Sequence, residues 1–70
     1  MATIKLDSIT REMNHGVEVN LDIRTSKGKI VVPFRFGDQG SAAANEKQAY
    51  QELKVWLQEA QQALEALGGQ

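Results

Sequence analysis

Cysteine is absent from this chain, and histidine and proline occur once each in 70 residues. Without a thiol there is no disulfide staple and no thiolate metal site. One imidazole also removes most zinc constellations. Aromatic residues make up only 6%, and no apolar run approaches the ~18 residues that a membrane span requires. The opening stretch "MATIKLDSITRE" lacks a basic segment followed by an apolar one, so no signal peptide is expected and a soluble, cytoplasmic protein is the default. Charge of one sign is lacking too: eight Lys and Arg stand against nine Asp and Glu, net −1, which is no electrostatic footprint for nucleic acid. The halves do differ. Residues 1–37 carry six basic and four acidic groups, and residues 38–70 carry two basic and five acidic ones. A chain this short buries only ~60% of its unfolded surface. With disulfides and metal excluded, oligomerisation is the common remaining aid to stability.

What is present is a clear alternation. In "VEVNLDIRT", Val17, Val19, Leu21 and Ile23 alternate with polar residues, the period of a strand with one buried face. "KIVVPFRF" alternates as well, with Ile30, Val32, Phe34 and Phe36 on one side. Pro33 has no N–H and must occupy a non-hydrogen-bonded pair. Placing it opposite Asp22 closes the hairpin at Thr25–Ile30, around a four-residue loop from Ser26 to Lys29. An earlier strand is joined through "Asn14-His15-Gly16", read as a three-residue loop with Gly16 left-handed. That pairs Met13 with Val17 and Ile9 with Leu21, leaves Ile4 and Leu6 out of phase, and calls for a bulge near Asp7-Ser8. It also aims Arg11 at the buried face, from which it should snorkel outward.

A helix is predicted over about 46–67. Tyr50, Leu53, Leu57, Ala60, Leu64 and Leu67 repeat at 3, 4, 3, 4, 3, a heptad seam flanked by Ala49, Trp56 and Ala63. Asn45 with Gln48 resembles a capping box, and Ala42–Ala44 can add an early turn. At 1.5 Å per residue such a helix is roughly 33 Å long, enough to run the length of a sheet of nine-residue strands.

Between sheet and helix lies "FGDQGSAAANEKQ", two glycines and a serine that suggest an anion cradle at Gly37–Ser41. The lysine of a phosphate-binding loop is missing, and so is the three-glycine dinucleotide pattern. The stretch reads as a joint. The tail Gly68-Gly69-Gln70 is similar to the tripeptide that peptide-release factors use for peptidyl-tRNA hydrolysis, where it sits in a loop of a basic domain. Here it follows an acidic helix and reads as a helix stop and frayed tail. His15 has no Ser, Cys or second His beside it and reads as a turn residue. Glu52, Glu59 and Glu65 lie off the apolar seam, on a solvated helix face. No nucleophile–base pair is visible, so no enzyme and no cofactor is expected.

The expected fold is α+β: a three-stranded antiparallel meander (strands about 2–13, 17–25 and 30–36, joint 37–45) with one long helix on one sheet face. This element order is similar to that of plant ethylene-response-type DNA-binding domains and of some integrase arm-binding domains. Those proteins read the major groove with a basic, aromatic-containing sheet face, which is lacking here. The primary functional expectation is a small protein-interaction module, a homodimer or an accessory subunit of a larger partner. Its candidate contacts are Trp56, Tyr50 and Val55 on the helix and Lys5 on an edge strand. The alternative is a nucleic-acid-binding regulator using Arg11, Arg24, Lys27, Lys29 and Arg35.

Overall fold

A computed structural model describes residues 1–68 of the chain. Three strands, β1 (Thr3–Arg11), β2 (Gly16–Thr25) and β3 (Gly28–Gly37), form one antiparallel sheet in the order β1-β2-β3, followed by a single helix, α1 (Ala42–Gly68). The expected α+β meander is therefore the fold. The helix packs against β2 and β3.

The faces fall as the alternation requires, but both hairpins are registered two residues away from the expected pairing. β2 and β3 pair Ile23 with Ile30, Leu21 with Val32 and Val19 with Phe34, and Thr25 meets Gly28. The loop is thus only Ser26 and Lys27, with the reversal absorbed at Gly28 (φ 142°). Pro33 lies opposite Asn20 rather than Asp22. A slip of two residues preserves both the inward face and the alternation of bonded and non-bonded pairs, so Pro33 still occupies a position where no ladder N–H is needed.

β1 shows the same shift. Ile9 pairs with Val19 and Arg11 with Val17, and the register jumps between Leu6 and Ser8, so the bulge falls at Asp7 as the phase of Ile4 and Leu6 demanded. The strand ends at Arg11 because residues 13–15 turn. The left-handed residues are Asn14 (φ 67°) and His15 (φ 61°), not Gly16, which instead pairs with Gly37 in the ladder. Asparagine and histidine are among the side chains that tolerate this region best. The Glu12 N–H donates to the Gly16 carbonyl at 2.9 Å and closes the turn.

The helix begins four residues earlier than the pattern suggested. Ser41 is its cap: its Oγ accepts the Ala44 N–H at 3.1 Å and its carbonyl accepts the Asn45 N–H at 2.9 Å. Three alanines then supply the best helix-forming residues for the first turn. Asn45 is inside the helix, buried, and does not cap it.

The core is small. Val17, Val19, Leu21, Ala49 and Leu53 are buried, with Leu6, Ile9, Ile23, Phe34 and Phe36 partly buried around them. Asn45, Ala49 and Leu53 are the buried helix residues, and they form one row at i, i+4, i+8. The row centred on the sheet is thus that of Ala49. Tyr50, Leu57 and Leu64 form its flank; Leu53 of the expected seam is buried as expected, joined by Ala49 from the expected flank.

Candidate functional site

Two polar clusters and two apolar surfaces result from this arrangement. The first cluster is the joint. The Asp38 N–H donates to the His15 carbonyl at 2.8 Å, tying the joint to the β1–β2 turn. Asp38 Oδ1 accepts from the Gly40 N–H at 2.9 Å and from Asn45 Nδ2 at 3.1 Å, while Asn45 Oδ1 accepts the Gln39 N–H at 2.8 Å. Arg11 closes the group through a 3.2 Å ion pair to Asp38. It has left the buried face as expected, and its side chain is largely exposed. The Gly40 N–H, then Asn45, hold the Asp38 carboxyl below the ordinary aspartate value, with the Arg11 charge adding to them. The glycines and Asn45 are thus occupied by one another, and this arrangement builds a joint.

The second cluster is on the outer sheet face. The buried carboxylate of Asp22 accepts from Arg24 Nε and Nη2 at 3.2 and 3.3 Å, and Lys29 Nζ stands 3.8 Å away. The hydrogen bond from Arg24 depresses the Asp22 pKa, and the Lys29 and Lys5 charges act in the same direction. Of the five candidate nucleic-acid contacts, Arg11 pairs with Asp38, Arg24 and Lys29 with Asp22, and Arg35 with Glu12 and Glu18 at 3.6 and 3.5 Å. Among the described residues Lys27 is the one of the five that makes no ion pair. The five do not share a patch either. Arg11 and Lys27 stand at opposite ends of the sheet, and Arg24 and Arg35 are separated along its outer face.

The first apolar surface begins where the core ends. Past Leu53 the same row continues through Trp56, Ala60, Ala63 and Leu67, but nothing in the fold buries it. Trp56 is 41% exposed, Leu57 46%, Leu64 67% and Leu67 69%. From residue 54 to residue 68 the helix extends for about 22 Å. Ala49 and Leu53 are buried in the core, whereas the indole two turns after Ala49 is 41% exposed. The helix therefore does not run flat along the sheet, and Leu57, Leu64 and Leu67 are not core residues as the heptad suggested.

The sheet is correspondingly bare at its β2–β3 hairpin end. Ile30 and Ile4 are about half exposed. Ile23, Thr25, Lys27, Gly28, Lys29 and Ile30 line an open depression of about 300 Å³ there, to which no helix residue contributes.

The four expected interface residues divide accordingly. Trp56 opens the apolar stripe. Tyr50 flanks it and is tied down by its hydroxyl, which donates to Glu46 at 2.6 Å; that bond raises the tyrosine pKa. Val55 lies on the far side of the helix from the stripe. Lys5 sits on the outer sheet face opposite Asp22. Sequence reasoning missed Leu57, Leu64 and Leu67 on the helix and Ile4 and Ile30 on the sheet, all assigned to the core. The available signal was the polar residue at the head of the row, Asn45, followed by the small Ala49.

Compared with known proteins, the chain matches no protein-family model, no curated protein and no solved structure. Among the described residues no helix is long and apolar enough to cross a membrane. Among the described residues no group of three or more His, Cys, Asp or Glu side chains is placed to hold a metal ion.

Proposed function

We propose that the protein is a small, non-enzymatic, self-associating interaction module whose contact surface is the C-terminal half of α1. The observation that carries this reading is the exposure of Trp56, Leu57, Leu64 and Leu67 along one continuous side of the helix. Monomers expose scattered apolar side chains freely, but a contiguous patch marks a contact surface. Trp is also the residue most enriched at interaction hot spots.

Strand addition is a weaker route to assembly. On β3, Pro33 removes an outward donor, and on β1 the bulge at Asp7 interrupts the edge after Leu6. The candidate strand Thr3–Asp7 thus offers only a short uninterrupted run. The paired state of the basic residues favours this reading over nucleic-acid binding.

Sedimentation equilibrium over a concentration series tests the proposal. The native chain should pass from monomer to dimer by high micromolar concentration. Leu64→Glu combined with Leu67→Glu should remain monomeric with unchanged helix ellipticity. A native chain that stays monomeric throughout overturns the reading.

A further inference from the structure

We infer that the partner surface for the overhanging helix is the bare sheet end of a second copy. In each dimer, α1 of one chain crosses the β2–β3 hairpin end of the other, reciprocally. The inference rests on the self-association proposed above and gives it a geometry.

The fold leaves two apolar surfaces uncovered, and they differ in shape. One is a rod, Trp56 to Leu67. The other is an open depression lined in part by Ile23 and Ile30. Each has what the other lacks, and a two-fold axis satisfies both in both copies at once. The row that already seats Ala49 and Leu53 on the chain's own sheet would continue, on its unchanged side, onto the neighbouring sheet.

Charge complements shape. At the rim of the depression stand Lys27, which makes no ion pair among the described residues, and Lys29, which pairs with Asp22 at 3.8 Å. The helix beyond Leu53 carries Lys54 against Glu59 and Glu65, and its terminal carbonyls add the negative end of the macrodipole. An acidic helix end on a basic hairpin is attractive. Two helices paired only with each other would bring like charges together and leave Ile4 and Ile30 exposed.

Size also fits. Trp56, Leu57, Leu64, Leu67, Ile4 and Ile30 together expose the equivalent of roughly three large side chains, about 600 Å² per copy at ~200 Å² each. Two copies bring this to about 1,200 Å² before flanking atoms are counted, within the range of specific interfaces.

The absence of cysteine makes the test direct. Ile30→Cys is placed in one affinity-tagged chain and Leu64→Cys in an untagged one. Both positions are more than half exposed, so neither change touches the core. The chains are mixed and treated with a short bismaleimide, and sedimentation is run on the same sample. The expected product is a tagged–untagged link, several-fold above that from either chain alone. Lys27→Glu should reduce the link and weaken the dimer by up to about fivefold, and Glu59→Lys in the same chain should restore both. A dimer that yields only Leu64-position self-links overturns the reciprocal arrangement and leaves self-association standing, through paired helices. A dimer with no links overturns the arrangement as well. A monomer overturns both readings.

Discussion

Asn45 is the side chain on which the placement of α1 depends. It is buried, it accepts the Gln39 N–H, and it donates to Asp38. Asn45→Ala keeps the helix-forming character of the position but leaves the Gln39 N–H without its acceptor and Asp38 without one donor. A fully buried donor left unsatisfied costs about 1–3 kcal/mol; Gln39 is exposed and its bond to Asn45 only part-buried, so water replaces part of the loss and we expect a net cost of about 1 kcal/mol at neutral pH. A domain of this size holds roughly 4–10 kcal/mol in total, so the effect is readily measured by urea unfolding followed at the helix ellipticity. All variants must share one protein concentration, because self-association shifts apparent stability. Gln48→Ala serves as the control. Among the described residues the Gln48 side chain bonds Glu52 alone, one turn along the helix, and its loss should cost under ~0.5 kcal/mol. Asn45→Asp should be worse than alanine at neutral pH, because a second carboxylate would face Asp38, and it should recover partly on acidification. If Asn45→Ala costs under ~0.5 kcal/mol, or if Gln48→Ala costs as much, the joint does not hold the helix in the way described.

Leu53→Ala should cost ~2–5 kcal/mol, as for a buried leucine, while Leu57→Ala under monomeric conditions should cost less than half as much; equal losses in urea melts would place the helix flat on the sheet. The Arg24 hydrogen bond holds the Asp22 carboxyl below the ordinary aspartate value in the fold, so its contribution is present above that value and is lost as pH falls below it. Stability should therefore decline as pH falls through and below the ordinary aspartate range, with a shallower decline in Asp22→Asn; identical profiles would refute the role of the pair. Pro33→Val restores an outward N–H on the β3 edge and should promote sheet-type aggregation, seen as a concentration-dependent thioflavin signal; an unchanged signal would show that Pro33 is no guard.

The inward faces of the sheet were legible because period-two alternation is a property of each strand alone. Val17, Val19 and Leu21 could be assigned without knowing their partners. Register was not legible because loops of two and four residues put the same faces inward, and the hydrophobic pattern is blind to a slip of two. Pro33 constrains only parity, which both alternatives satisfy. The bulge at Asp7 was legible because a phase error of one cannot be absorbed otherwise. The helix stripe was legible as a stripe, but which of its two adjacent rows meets the sheet depends on closest approach. Ala49 decides this by being small, and a heptad count favours large residues. The candidate site was hidden for the same reason. Leu57, Leu64 and Leu67 have a core-like pattern whether the surface that covers them belongs to this chain or to another. Among the proposed contacts, Trp56 was picked out by type and Val55 only by its phase.

The helix is anchored at one end and free over the other, and so it works as a lever. Buried contact stops at Leu53, and Leu67 lies about 20 Å further along the axis. A change of one degree in the angle at the joint therefore moves the Leu67 end by about 0.4 Å, and a change of five degrees moves it by about 2 Å, a large fraction of a leucine's width. The aim of the apolar tip is thus set by Asp38, Asn45 and the carbonyl of His15, none of which would touch whatever binds there. Substitutions in the β1–β2 turn, on the far side of the molecule from Leu67, can consequently retune what the tip meets without altering a single residue of the contact surface.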